Sequence, residues 1–108
     1  MPQKKASKIT VYLTGPIGDG SGREQNIQRF HSVASTLRGK EGYYVVSPVE
    51  INHAGAAQWR DYMKNDIKAM LECDAVYCLK GWEKSPGARL EVFIALQLGM
   101  DRLDERIE

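Results

Sequence analysis

Two carboxylates sit where the surrounding pattern wants apolar side chains. Glu91 is flanked by Leu90, Val92, Phe93 and Ile94, with Ala88 three residues before it and Ala95 four after. That is a small-residue helix face able to pack closely, and it leaves no polar surface to justify a glutamate. Asp66 stands on a helical stripe otherwise made of Trp59, Tyr62, Met63, Ile67, Met70 and Leu71. A charge on a core-facing stripe is costly unless it is paired or turned toward a cleft. Buried carboxylates of this kind gather at functional sites. The competing readings are structural: a backbone donor or a buried lysine beside Asp66, and a salt bridge from Glu91 to Arg89 or Lys84.

Other residues near these two have ligand-binding chemistry. Ser85 followed by Pro86 is a helix start, a hydroxyl N-cap before proline at the first helical position. With Gly87 it opens backbone N–H groups to an anion or a sugar hydroxyl; capping alone is the simpler use of the same serine. The run from Gly15 to Gly22 holds four glycines in eight residues. Gly15 and Gly20 are spaced as in a Walker A loop, but Ser21 stands where its lysine belongs, and Gly18 and Gly20 lack the third glycine of a dinucleotide loop. What remains is a loop that lets a ligand approach the backbone closely. Trp82, in a loop, is the candidate to stack on a base, while Trp59, on the helical stripe, reads as core.

These residues need elements to hold them. Ile9 to Thr14 alternates and is rich in β-branched residues, which predicts a strand, with Tyr12 on the face opposite Ile9, Val11 and Leu13. Ile27, Phe30, Val33, Ala34 and Leu37 recur at helical spacing, and that helix ends between Gly39 and Gly42. Tyr43 to Ser47 is a second strand, stopped by Pro48. Trp59 to Leu71 is a second helix, Asp74 to Leu79 a third strand, and Ser85 to Leu98 a third helix. This last helix is apolar nearly all round and is expected to be buried. For Met100 to Glu108 the pattern is undecided: Leu103 and Ile107 have helical spacing where a strand is due.

The order β-α-β-α-β-α implies parallel strands with helices on both faces. The expected fold is therefore α/β, a Rossmann-like or flavodoxin-like three-layer sandwich on a small parallel sheet. Ligands bind such sheets at the carboxyl ends of the strands. Gly15 to Gly22, Ser47 to His53 and Gly81 to Gly87 converge there. Gly15, Pro16, Ile17, Gly18, Glu50, Trp82, Ser85 and Gly87 are the expected substrate-binding residues.

The whole chain narrows the function classes. Its 108 residues fit a polar tail over 1–8 and one domain over 9–108, with a hydrophobic fraction of 43% sufficient for a modest core. A site on so small a body often needs a neighbouring copy to close it, so a homodimer or higher homo-oligomer is expected. A net charge of +1, with Lys4, Lys5 and Lys8 as the only basic cluster, argues against a nucleic-acid polymer as partner. No apolar run suits a membrane span or a secretory signal, which makes the cytoplasm the expected compartment. Cys73 and Cys78 read as buried small hydrophobes, and neither a metal site nor a disulfide is expected.

Several of these segments, taken together, resemble the nucleoside 2-deoxyribosyltransferase superfamily, which includes the 2′-deoxynucleoside 5′-phosphate N-hydrolases. They are Tyr12 to Ile17 after the first strand, Asp66-Ile67 in the second helix, Cys73 to Val76 opening the third strand, and Ser85, Gly87 and Glu91 on the third helix. The run from Trp82 to Ala88 is most similar to small phage and bacterial members. The resemblance covers residues 9 to 99. It implies that Glu91 is the nucleophile at the anomeric carbon of a deoxyribose. Asp66 then orients the nucleophile or sugar or assists proton transfer to the leaving base, and Tyr12 positions the glutamate. Ser85, Gly87 and the Gly15 to Gly18 loop hold the sugar 5′ end or its phosphate. No cofactor is needed: a carboxylate can trap or stabilise an oxocarbenium-like centre, with water giving hydrolysis and a second base giving transfer. Two departures stand out. Gly18 replaces an arginine of the monophosphate hydrolases, leaving Lys80, Lys84 or Arg89 to substitute, and the C-terminal residues lack the expected final strand. The alternative is a non-catalytic module of the same fold that binds or senses a nucleotide.

Overall fold

The computed structural model describes residues 8–18 and 20–106. Most of the polar N-terminal tail, with Lys4 and Lys5, and also Ile107 lie outside the described residues. Four strands form one all-parallel sheet in the order β2-β1-β3-β4: β1 (Thr10–Thr14), β2 (Tyr44–Val46), β3 (Ala75–Cys78) and β4 (Asp101–Asp104). Three helices connect them: α1 (Arg23–Thr36), α2 (Trp59–Met70) and α3 (Pro86–Gln97). α1 gives way to a π-helical turn over Leu37–Glu41, and Gly42, at φ 72°, ends it in the left-handed conformation that suits glycine.

Alternation along β1 divides the core in two. Val11 and Leu13 point to one face and pack against Phe30, Ala34 and Leu37 of the first helix and its terminal turn. Tyr12 points to the other face, among Met70, Cys73, Val76, Val92 and Ala95. The expected three-layer α/β sandwich is the observed one. Cys73 and Cys78 are free and buried, and burial pushes their thiols up to about 11 and about 12.

Two expectations are corrected. The final strand is present: Asp101 to Asp104 pairs with β3 in parallel register, Ala75 opposite Asp101 and Tyr77 opposite Leu103. Charged residues around Leu103 hid it, and charge is a common protection for an edge strand against pairing with other chains. Glu105, just beyond, accepts the Lys80 backbone N–H at 2.8 Å and pairs with Arg29 of α1. The second correction concerns α3. Its inner face, Ala88, Glu91, Val92 and Ala95, is buried, but Phe93, Leu96 and Leu98 are exposed along with Leu71. The sheet and α2 cover only one side of it in the single chain.

Candidate active site

The sheet order makes β1 the strand from which the chain turns to either side, and a cleft opens at its carboxyl end. Two glycines let the walls close in. A Cβ on Gly15 would lie 2.8 Å from the Leu79 Cβ, so the end of β1 meets the end of β3 only without a side chain there. A Cβ on Gly87 would lie 3.2 Å from the Met63 sulfur, which keeps the start of α3 close to α2. The resulting cavity is about 750 Å³, within the range usual for small-molecule sites.

Glu91 is on its wall, with only 5% of the residue exposed. The Tyr12 hydroxyl donates to one carboxylate oxygen at 2.9 Å and the Thr14 hydroxyl to the other at 2.8 Å. Tyr12 and Thr14 are two apart on β1 and so share a face, and Ala88 and Ala95 let the helix approach near enough for both bonds. Neither salt-bridge alternative is found among the described residues: no ion pair joins Glu91 to Arg89 or Lys84, and Arg89 donates to the Glu83 carbonyl at 2.9 Å. Burial is the main force on Glu91 and raises its pKa to about 7, against the pull of the two hydroxyls. The nearby charge of Asp66 raises it further.

Asp66 lines the same cavity and is 7% exposed. Burial raises it to about 6, and the His53 imidazole opposes that rise. His53 Nε2 lies 3.2 Å from Asp66 Oδ1, yet that buried oxygen has no well-directed hydrogen bond among the described residues. The two groups are in close contact on the cavity wall. Tyr12 is wholly buried, and its phenol is raised by burial, then by the charge of Glu91 and then by that of Asp66.

Gly15, Ile17, Gly18, Ser85 and Gly87 also line the cavity. Ser85 caps α3, its Oγ accepting the Ala88 N–H at 3.2 Å, and its own hydroxyl proton remains available to a ligand. Pro16, expected among the substrate-binding residues, is not in the lining and lies in contact range of Gly81. Glu50 is turned away: a short 3₁₀ turn over Pro48–Glu50 carries it to Arg38, which donates to it at 2.7 Å.

The tryptophans exchange places. Trp82 lies outside the lining, packed beside the core on the Tyr12 face with the Arg102 guanidinium 5.1 Å above its ring. Trp59 is 59% exposed and forms part of the cavity wall with Tyr62. α2 follows β2, so its first turn stands over the carboxyl ends of the strands, and position alone could have marked Trp59. Sequence reasoning also missed Thr14, His53 and Arg23. Among the lining residues Arg23 is the fixed cation, held by the Gly18 carbonyl at 2.6 Å, whereas Lys80, Lys84 and Arg89 are not in the lining.

Comparison with known proteins bears on the fold and the family. Residues 9–103 match the family described as Domain of unknown function (DUF4406). The chain belongs to this family. No curated protein matches it. Among solved structures, this DUF4406 chain is similar to the 2-deoxyribosyltransferase of the psychrotolerant bacterium Bacillus psychrosaccharolyticus. The TM-score is 0.59 at 20% identity, over 92% of this chain and 77% of that one. At that identity the likeness is one of fold. It agrees with the superfamily that the motifs resemble. No helix among the described residues is long and apolar enough to cross a membrane.

Proposed function

We propose that this protein is an N-glycosidase or deoxyribosyltransferase that cleaves the N-glycosidic bond of a nucleoside or nucleoside 5′-monophosphate, with Glu91 as nucleophile. The observation that carries this reading is the Glu91 carboxylate, buried on an apolar helix and gripped by two hydroxyls at the wall of a cavity shared with Asp66. Two carboxyl groups flanking a cleft are the usual equipment for breaking a glycosidic bond. Trp59 and Tyr62 supply aromatic surface for a base. The start of α3 and Arg23 supply donors for the sugar 5′ end or its phosphate. A nucleoside-sized ligand needs no further partner class.

The hydroxyl bonds aim both oxygens of Glu91 and stabilise its charged form, while burial leaves it poorly solvated and reactive once ionised. The bond breaks as positive charge grows at the anomeric carbon, and Glu91 captures or stabilises that centre. Incubating the protein with deoxynucleosides and their monophosphates, and following free base by chromatography, tests the reading. Base release that is equally fast with Glu91→Ala overturns it; adding a second base separates transfer from hydrolysis. The exposed apolar residues of α3 support a homo-oligomeric working form, which sedimentation measures.

A further inference from the structure

His53 lies in the segment between β2 and α2, yet its ring is held on three sides by α2. Nε2 faces Asp66 Oδ1 at 3.2 Å, Nδ1 faces the Asn65 side-chain amide at 3.2 Å, and the Tyr62 ring packs at 4.8 Å between centroids. Tyr62, Asn65 and Asp66 are spaced i, i+3 and i+4, so one helix face forms the whole cradle. The His53 side chain is 16% exposed and is on the cavity wall.

The cradle specifies where protons sit. With the Asn65 Nδ2 donating, Nδ1 is an acceptor and the proton of the neutral ring is on Nε2, the nitrogen on the Asp66 side. Turning the Asn65 amide presents its oxygen instead, and the ring then holds a proton on each nitrogen with the same neighbours. The ring can therefore gain or lose one proton without moving. Asp66 Oδ1, on the cavity wall 3.2 Å from Nε2, is the other end of the exchange.

We propose that His53 shares with Asp66 the proton that the resemblance has Asp66 pass to the departing base, the two acting as one pair, with Asn65 as the positioning residue that sets the ring's tautomer. This rests on the glycosidase reading above. In the first step the electrons of the C1′–N bond go to the base nitrogen. The base takes the proton held by the pair, and a Glu91 oxygen bonds to C1′. In the second step water attacks C1′, Glu91 leaves with its bonding electrons, and the proton shed by water returns to the pair. The sum is one water consumed, one free base and one sugar hydroxyl formed.

The test uses two substrates that differ in their need for that proton. An N7-methylated guanine deoxynucleotide carries a cationic base that leaves without protonation; its unmethylated counterpart does not. Initial rates are read above the spontaneous loss of each base. His53→Gln is expected to lower kcat on the unmethylated substrate by about 10²-fold and to change the methylated one by no more than a few fold. Asn65→Asp, which accepts from Nδ1 and so reverses the neutral tautomer, is expected to follow the same pattern by about tenfold. Equal losses on both substrates in both variants make His53 a loop anchor and overturn the proposal alone, as does no loss on either. A wild-type protein inert on both substrates overturns the glycosidase reading and this proposal with it.

Discussion

The two faces of the sheet are built from neighbouring residues of the same strand and serve opposite ends. On the α1 face, Val11 and Leu13 meet Phe30, Ala34 and Leu37 in a wholly apolar cluster. On the other face, Tyr12 and Thr14 meet a glutamate, and an aspartate stands close by. The first face lowers the free energy of the fold by removing hydrocarbon from water. The second holds two acids away from water, which costs stability and leaves their pKa values raised. A 108-residue chain has few kilocalories to spare. The apolar face is what makes the charged one tolerable.

Breaking each face should therefore give opposite signatures. The largest effect is on chemistry: Glu91→Gln keeps the shape of the side chain and is expected to lower kcat by at least about 10³-fold, measured as base release. On the opposite face, Leu37→Ala is expected to cost about 2–5 kcal/mol of unfolding free energy by opening a cavity in a close-packed cluster, measured by urea denaturation.

How far the sequence reveals this division depends on what each residue reports. Glu91, Asp66 and Tyr12 were legible because polar groups interrupted an apolar period, and the strands and helices were legible from the period itself. Thr14 does not stand out by sequence, since threonine suits any strand. By sequence His53 is in a loop, but its neighbours belong to α2 and only the fold brings them together. β4 was missed because a short charged edge strand has no period of its own. Helical spacing placed Trp59 on the correct stripe but could not say that the stripe's first turn is left uncovered beside a cavity. The exposed side of α3 misled in the same way.

The same glutamate sharpens the comparison when stability is read instead of rate. Its pKa is about 7 in the folded protein against an ordinary 4.5, so between those values the folded state binds more protons than the unfolded one. Stability from this group is greatest below about pH 4.5 and falls as pH rises to about 7. Glu91→Gln is thus expected to be more stable than the wild type at pH 8, by on the order of 2–3 kcal/mol, and to lose that advantage by about pH 4.5. Melts across this range test the sign.

One residue crosses the divide. α1 belongs to the apolar face, yet its first turn reaches over the sheet and sets Arg23 at the cavity wall. If that cation replaces the arginine whose place Gly18 takes, Arg23→Gln should raise KM for a 5′-monophosphate about tenfold, the worth of one charge-assisted bond. KM for the unphosphorylated nucleoside should shift far less. Equal shifts for both would return α1 to a purely structural role.

The smallest expected effect isolates a single hydrogen bond. Thr14→Val is close to the same volume and removes the hydroxyl that donates to Glu91 at 2.8 Å, while Tyr12 keeps its own bond. That hydroxyl favours the ionised carboxylate, so without it the pKa of Glu91 moves further above about 7. A nucleophile must be ionised, so the acidic limb of the kcat profile should move to higher pH by up to about one unit. On the N7-methylated substrate, whose base needs no proton from the site, the rate on the alkaline plateau should fall less than at pH 6. A limb that stays in place would mean that the charge on Glu91 does not govern the rate, and that the polar face of β1 serves to seat the glutamate and not to tune it.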